Sequence, residues 1–275
     1  MRFTAKTASL ALAMTALPGI AVSSPALAAA PAVSVTATAA PTAAPAGPAT
    51  PATAAPATAP GPVTVARYSF DRGASATGRV AENSGRGPAL TVRAADRGQV
   101  TFAGTTDKSA GFPAACAATA KACPRALLEG ADDADLDPGT RLFRWGASVR
   151  LTKAQVTGSS NVVQKGVVDT ESQWKMQIGA KQGRAHCAVV GKGSAQVFLV
   201  RSSVGVADDK WHDVMCQRSG SALSVYVDGQ ARGRIAIPAT LTIANARPVR
   251  IGGPNFNTKS DMYHGQLDDV YARLG

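Results

Sequence analysis

The chain has 275 residues, of which 45% are hydrophobic and 17% charged, and its formal net charge is +11 at pH 7. The basic residues are spread along the sequence rather than clustered, and few aromatic residues lie among them. This distribution argues against a nucleic-acid-binding protein, in which basic residues concentrate on one surface.

Residues 1–28 have the layout of a secretory signal peptide. Arg2 and Lys6 form the positively charged start, Ala8–Val22 the apolar segment, and Ala26–Ala28 the small-residue cleavage site. The apolar segment is shorter than the roughly 20 residues of a membrane-spanning helix. We therefore expect a secreted, extracellular protein with no transmembrane segment after cleavage.

Residues 29–62 consist almost entirely of Ala, Pro and Thr. Such a stretch buries too little apolar surface to offset the entropy of ordering, so it predicts a disordered linker that Pro keeps extended. Two roles are open for it: a passive spacer, or an extracellular stalk whose Thr residues carry sugars. Residues 63–275 remain, which is enough for one large β-sandwich domain.

The first part of this domain predicts short strands separated by Gly-bounded turns. Strands are expected at Val65–Asp71, Ala89–Val92 and Gln99–Phe102, with a turn at Glu82–Gly87 after the first. Thr105–Arg125 has no clear period and is expected to be irregular.

An acidic run follows, ADDADLDPGT at residues 131–140. It lacks the central Gly and the closing Glu of an EF-hand calcium loop. We therefore expect a solvated acidic turn that leads into the next strand.

The second part of the domain alternates apolar and polar residues with a period of two, which is typical of half-buried strands. The alternation is clearest in Phe143–Leu151, Trp174–Ile178 and Leu223–Val227. Further strands are predicted at Asn161–Gly166, Ala185–Val190, Gln196–Ser202, Trp211–Arg218, Val249–Ile251 and His264–Leu274.

Four cysteines in an exported chain favour two disulfides, although the sequence alone allows three connectivities. We favour Cys116–Cys123, which closes a small surface loop, and Cys187–Cys216, which we expect to join neighbouring strands of one sheet. The Cys-x6-Cys spacing is not one of the usual zinc-binding spacings.

The hairpin Asp208–Gly229, with the sequence DDKWHDVMCQRSGSALSVYVDG, resembles laminin G-like domains of the concanavalin A-like lectin/glucanase superfamily, as they occur in secreted bacterial proteins of the actinobacterial type. The opening YSFD and NSGRG motifs and the closing HGQLDDVYARL segment are similar to the same family. The resemblance implies an all-β, jelly-roll sandwich of two antiparallel sheets. It also implies that Trp211 is a core residue and that His212 is structural.

The resemblance further implies that the first and last strands pair, which would bring Asp71 and the turn around Asn83 close to Asp268. Alternation would place Asp268 on the inner face with Val270, and a buried carboxylate needs hydrogen bonds or a cation. Calcium is one hypothesis, because carboxylate and carbonyl oxygens are its preferred ligands. Backbone N–H groups bound to Asp268 are the other, and the amide Asn83, at a place that is usually acidic, favours it.

The sequence carries none of the common catalytic motifs of jelly-roll enzymes. Glu82, Glu129 and Glu171 do not form the closely spaced carboxylate pair of a retaining glycanase. Gln177 lacks the His two positions later that polysaccharide lyases of this fold use. We therefore predict that the protein is not an enzyme and assign no catalytic residue.

The expected function is a secreted, non-catalytic recognition module that binds a glycan or a protein outside the cell or at its surface. A structural or adhesive envelope protein with a stalk is the alternative, and a jelly-roll enzyme acting on glycans is a weaker one. The positive charge would attract acidic glycans without specificity, although a soluble basic domain with no anionic target fits equally well. No particular ligand-binding residue is predicted.

Overall fold

The computed structural model describes residues 61–117, 119–168, 172–257 and 261–275. The predicted signal peptide and nearly all of the predicted linker lie outside the described residues, so the domain boundaries stay predictions. Within the described ranges, no helix is long and apolar enough to cross a membrane.

Strands dominate the described part of the chain. They are β1 Val63–Tyr68, β2 Arg79–Val80, β3 Leu90–Ala95, β4 Thr101–Ala103, β5 Ser109–Gly111, β6 Arg125–Gly130, β7 Phe143–Arg150, β8 Ser159–Gly166, β9 Gln173–Gly179, β10 Arg184–Val190, β11 Val197–Gly205, β12 His212–Ser219, β13 Ala222–Val227, β14 Gln230–Ala236, β15 Val249–Ile251 and β16 Gln266–Leu274. Two single-turn 3-10 helices lie at Ala134–Leu136 and Lys153–Gln155.

These strands form two antiparallel sheets. In sheet 1 the order is β14-β13-β12-β7-β16-β5-β4, and β1 also pairs with β16. In sheet 2 the order is β11-β10-β9-β8-β15-β6-β3-β2. The all-β, jelly-roll sandwich predicted from the sequence is therefore confirmed, and so is the pairing of the first and last strands.

The core between the sheets follows the predicted alternation. Phe143 and Trp145 of β7 point inward and meet Trp174 of β9 from the facing sheet. Their ring centroids lie 5.3 to 5.8 Å apart across the sheets, within the range of favourable aromatic pairs. This aromatic cluster fixes which face of β7 and β9 is buried, and the polar residues between these positions lie on the outer faces.

Several strands had no sequence signal. β5 and β6 lie in or next to the segment that we expected to be irregular, and β14 has the sequence QARGRIA. The pattern of β14 is weak because it is an edge strand with few buried residues, so packing imposes little alternation on it.

Both favoured disulfides are present, Cys116–Cys123 and Cys187–Cys216, each with its Cα atoms 5.7 Å apart. The expected setting of the second bond was wrong. Cys187 lies on β10 of sheet 2 and Cys216 on β12 of sheet 1, so the bond crosses the core instead of joining neighbouring strands. Both residues occupy inward positions at 0% exposure, and inward side chains of facing sheets meet in the sandwich interior.

The acidic run does more than form a solvated turn. The Lys165 side chain of β8 is completely buried, and its ammonium group lies 2.7 Å from Asp137 and 2.8 Å from Asp132. It also donates to the backbone carbonyl of Asn245. The acidic run therefore contacts a buried ammonium group of the core. A buried charge needs close hydrogen-bond acceptors, and the run supplies two of them.

Candidate functional site

A cleft of about 460 Å³ opens on the outer face of sheet 1. We call it the Trp211 cleft, and its lining includes Asp107, Ser109, Ser148, Arg150, Trp211, Gln266, Asp268 and Asp269. Strands β5, β7 and β16 supply most of these side chains, so the floor is held by paired strands. The long walls come from the loop before β5 and the turn before β12.

Trp211 is exposed, which corrects the expectation of a core residue. Its relative exposure is 44%, whereas Val214 and Cys216 of the following strand are buried. Because side chains alternate along a strand, inward Val214 and Cys216 leave position 211 on the outward side. The Trp211 side chain therefore stands at the cleft instead of filling the core.

The turn that presents Trp211 is held by His212. The two ring nitrogens of His212 lie 2.9 Å from Asp228 Oδ2 and 3.0 Å from Asp208 Oδ1, and Asp208 also accepts the backbone N–H of Lys210. Burial by itself lowers the pKa of His212, but the hydrogen bonds to Asp228 and Asp208 outweigh it and raise the pKa. These bonds agree with the structural role implied for His212.

Asp268 lies on the outer face, not the inner one. A β-bulge in β16 between Asp268 and Tyr271 breaks the register with β7, and Asp269 adopts a left-handed φ of 43°. The bulge lets Leu267 and Val270 both point into the core although they are three residues apart. Strict alternation, on which the inward placement of Asp268 depended, therefore fails at this point.

The pKa values of Asp268, in the cleft, and of Asp71, near it, are shifted in opposite directions. Partial burial raises the pKa of Asp268 to about 6, with added repulsion from Asp269, Asp107 and Asp71. Hydrogen bonds from the Ser69 side chain and the Lys108 backbone hold the pKa of Asp71 below its usual value. Asp269 is neutralised by Arg67, whose Nη2 lies 2.7 Å from Asp269 Oδ1.

The three predicted calcium ligands are only partly brought together. Asp71 and Asp268 are near enough to repel each other, whereas the Asn83 side-chain oxygen accepts the Ser69 backbone N–H at 3.0 Å. Among the described residues, no group of three or more His, Cys, Asp or Glu side chains is placed to hold a metal. The set falls short of the six to eight oxygens that Ca²⁺ prefers, and calcium here stays a prediction.

A second, smaller cleft adjoins the first and shares Ser148 and Asp269 with it. Its floor is the Tyr271 ring, which Arg273 covers with its guanidinium 4.7 Å from the ring centroid. Gly146 of β7 permits this, because a Cβ at that position would lie 2.7 Å from the Tyr271 ring. Together the two clefts extend the polar surface along the outer face of sheet 1.

This arrangement suits a hydroxyl-rich ligand. Trp211 offers a broad apolar ring with a polar N–H, and the carboxylates, hydroxyls and amide around it accept and donate hydrogen bonds in several directions. The sequence pattern indicated Asp268 but not the cleft itself. The only signal for it was the location of Trp211 inside a run of charged turn residues, DDKWHD.

One family model matches part of the sandwich. Residues 145–272 match a laminin G family whose description is concanavalin A-like lectin/glucanases superfamily. No curated protein sequence matches the chain.

Solved structures share the fold at low sequence identity. Domain 4 of AbnA, a GH43 extracellular arabinanase from Geobacillus stearothermophilus, in complex with arabinotriose, has a TM-score of 0.58 and 14% identity; the match covers 78% of this chain and 93% of that domain. The binding domain of botulinum neurotoxin DC in complex with SialylT has a TM-score of 0.54 and 11% identity, over 76% of this chain and 47% of that one. The binding domain of Paraclostridial mosquitocidal protein 1 has a TM-score of 0.53 and 11% identity, over 76% and 48%.

Proposed function

We propose that this protein, whose residues 145–272 match a laminin G family of the concanavalin A-like lectin/glucanase superfamily, is a secreted, non-catalytic recognition module that binds a glycan outside the cell. The Trp211 cleft is the proposed binding site. The observation that carries the proposal is a tryptophan 44% exposed at the wall of a polar cleft whose floor is rigid sheet.

The ligand chemistry follows from the lining. An exposed aromatic ring covers the apolar face of a sugar, and Asp107 and Asp268 accept hydrogen bonds from its hydroxyl groups. Carboxylates in the lining favour a neutral sugar at this point, because an acidic one would meet repulsion. Two fold relatives were solved as complexes with arabinotriose and with SialylT, which supports the use of this fold for binding of glycans.

Secretion is part of the same proposal. It rests on the signal layout of residues 1–28 and on two disulfides in the described domain, since disulfides persist mainly in oxidising compartments outside the cytosol.

A glycan array with the full secreted chain tests the function. We expect discrete preference for one class of neutral glycan, and Trp211→Ala should weaken that binding by about 30-fold or more, the size of an aromatic hot spot. Val197→Ala is the matched control, because Val197 is also an exposed large apolar residue but lies on sheet 2. Val197→Ala should leave the preference intact.

Three outcomes would contradict the proposal. Unchanged glycan binding by Trp211→Ala would show that the Trp211 cleft is not the binding site. Absence of a preference for any glycan would favour the structural or adhesive alternative. Release of products from a panel of polysaccharides, abolished by Asp268→Asn, would show an enzyme instead.

A further inference from the structure

A second cleft, also of about 460 Å³, lies on the outer face of sheet 2, on the other side of the sandwich from the Trp211 cleft. Its lining includes Ser159, Gly179, Lys181, Gln182, Arg184, His186, Arg201 and Asp261. We call it the basic cleft. None of these residues belongs to the Trp211 cleft, so the two sites are independent.

Three neighbouring strands place a row of polar side chains across this surface. Gln177 of β9 is paired with His186 of β10, which in turn is paired with Arg201 of β11. Directly paired residues carry their side chains on the same face, within about 5.5 Å at Cβ. The row therefore runs across three paired strands, and its members His186 and Arg201 line the cleft.

Gly179 makes room for the histidine in this row. A Cβ at position 179 would lie 2.3 Å from Cε1 and 2.7 Å from Nε2 of His186. Any other residue there would displace the imidazole from the cleft, because real Cβ contacts are longer. The glycine thus keeps the Nε2 edge of His186 against the lining.

The positive charges of the cleft lack partners among the described residues. Arg184, Arg201 and Lys181 make no side-chain hydrogen bond or ion pair there, and Asp261 is the one carboxylate among the described residues of the lining. Other arginines of the domain are each paired with an acidic side chain, namely Arg67, Arg86, Arg125, Arg150 and Arg250. Unpaired guanidinium groups that converge on one cleft are free to bind an external anion.

The histidine in the middle is a neutral donor. Burial, together with the charges of Arg201, Arg184 and Lys175, lowers the pKa of His186 to about 4. Gln177 Nε2 lies 3.4 Å from His186 Nδ1, so a proton on Nε2 satisfies both groups. His186 then offers an N–H donor without adding charge, beside two arginines.

We propose that the basic cleft binds the oxyanion of an acidic glycan, with Arg184 and Arg201 as the charged donors and His186 as a neutral donor. The anion is a uronate carboxylate or a sulfate, which share this chemistry. A nucleic acid is disfavoured because the described residues of the lining include no Phe, Tyr or Trp on which a base could stack. The protein would thus hold a neutral sugar on one sheet and an acidic one on the other.

Binding to three hexasaccharides tests the inference with the full secreted chain: a uronate hexamer, a sulfated hexamer and a neutral hexamer. Calorimetry at 150 mM salt should show binding of at least one acidic hexamer, and Arg201→Gln should weaken it at least tenfold. The uronate and sulfated arms identify which oxyanion is preferred. Arg79→Gln is the matched control, because it removes the same charge from an exposed arginine at the opposite edge of sheet 2.

If Arg201→Gln and Arg79→Gln lost the same affinity for the acidic hexamer, the basic cleft would not be a specific site. The binding would then come only from attraction by the net charge. Binding of the neutral hexamer that Arg201→Gln abolishes would overturn the recognition of an anion. Trp211→Ala should leave the affinity for the acidic hexamer unchanged, so failure of the Trp211 cleft and failure of the basic cleft are separate results.

Discussion

At the scale of single residues, one backbone irregularity determines the chemistry of the Trp211 cleft. The bulge in β16 turns Asp268 outward and leaves it partly desolvated beside other carboxylates. A side chain that is costly to ionise in the folded state lowers stability at neutral pH. Such a cost is expected where a residue is retained for binding rather than for folding.

Asp268→Asn should therefore stabilise the protein at neutral pH. Because the folded state raises the carboxyl pKa from 3.8 to about 6, stability is lost as pH rises through this window. Removing the charge should raise Tm by about 2 °C or more at pH 7.5 and leave it unchanged near pH 4. Thermal melts from pH 4 to 8 in EDTA measure this, and glycan affinity should fall in the same variant.

Asp71→Asn is the control, because we expect it to change the melting temperature at neutral pH in the opposite direction. The pKa of Asp71 is lowered by its hydrogen bonds, so the stability that it contributes is present at neutral pH and lost as pH falls through the folded pKa. This variant should melt lower than the parent at pH 7.5. Equal shifts in the same direction for both variants would contradict the assignment of the two carboxylates.

At the scale of elements, a disulfide and a buried ion cluster connect segments that do not pair as strands. The Cys187–Cys216 bond ties β10 to β12 across the core, and Lys165 ties β8 to the acidic run. Neither contact follows from strand pairing within a sheet. Both therefore hold together parts of the fold that backbone hydrogen bonds do not connect.

Removal of the cross-sheet disulfide should cost more than removal of the surface one. The bonds close loops with sequence separations of 29 and 7 residues, which on the loop-closure model correspond to about 3.6 and about 2.4 kcal/mol. Denaturant unfolding of the Cys187→Ala/Cys216→Ala and Cys116→Ala/Cys123→Ala variants gives both values. A smaller loss for the first variant would show that the core relaxes around the missing bond.

The buried lysine gives a second prediction at this scale. Asp137→Ala should lower the free energy of unfolding by about 3 kcal/mol, because it leaves the ammonium group of Lys165 partly uncompensated in the core. Asp132→Ala is the control: it contacts the same amine but its side chain is 44% exposed, so we expect a loss under about 1 kcal/mol. Equal losses would show that the two carboxylates share the charge evenly.

At the scale of the whole molecule, the sandwich closes where its first and last strands pair, and the calcium prediction lies at that closure. If Ca²⁺ binds at Asp71 and Asp268, it stabilises the fold by mass action as free Ca²⁺ rises. Millimolar Ca²⁺ should then raise Tm relative to EDTA, and Asp268→Ala should abolish the difference. Identical melting temperatures in both buffers would end the calcium hypothesis.

The sequence by itself determined the sandwich, because alternation of apolar residues with a period of two is a local property that each strand carries alone. Phe143–Leu151 and Trp174–Ile178 predicted their buried faces correctly for this reason. The family resemblance added the pairing of the first and last strands, and residues 145–272 match the corresponding family.

Only the tertiary structure decided which residues line the clefts. Trp211 is exposed because Val214 and Cys216 are the residues of this strand that point inward, which leaves position 211 on the outer face. The outward position of Asp268 depends on a bulge with no clear sequence signature. The row of Gln177, His186 and Arg201 comes from three strands whose register is set by pairing between distant segments. Local patterns specify strands, whereas sites form from contacts between them, and those contacts require the assembled fold.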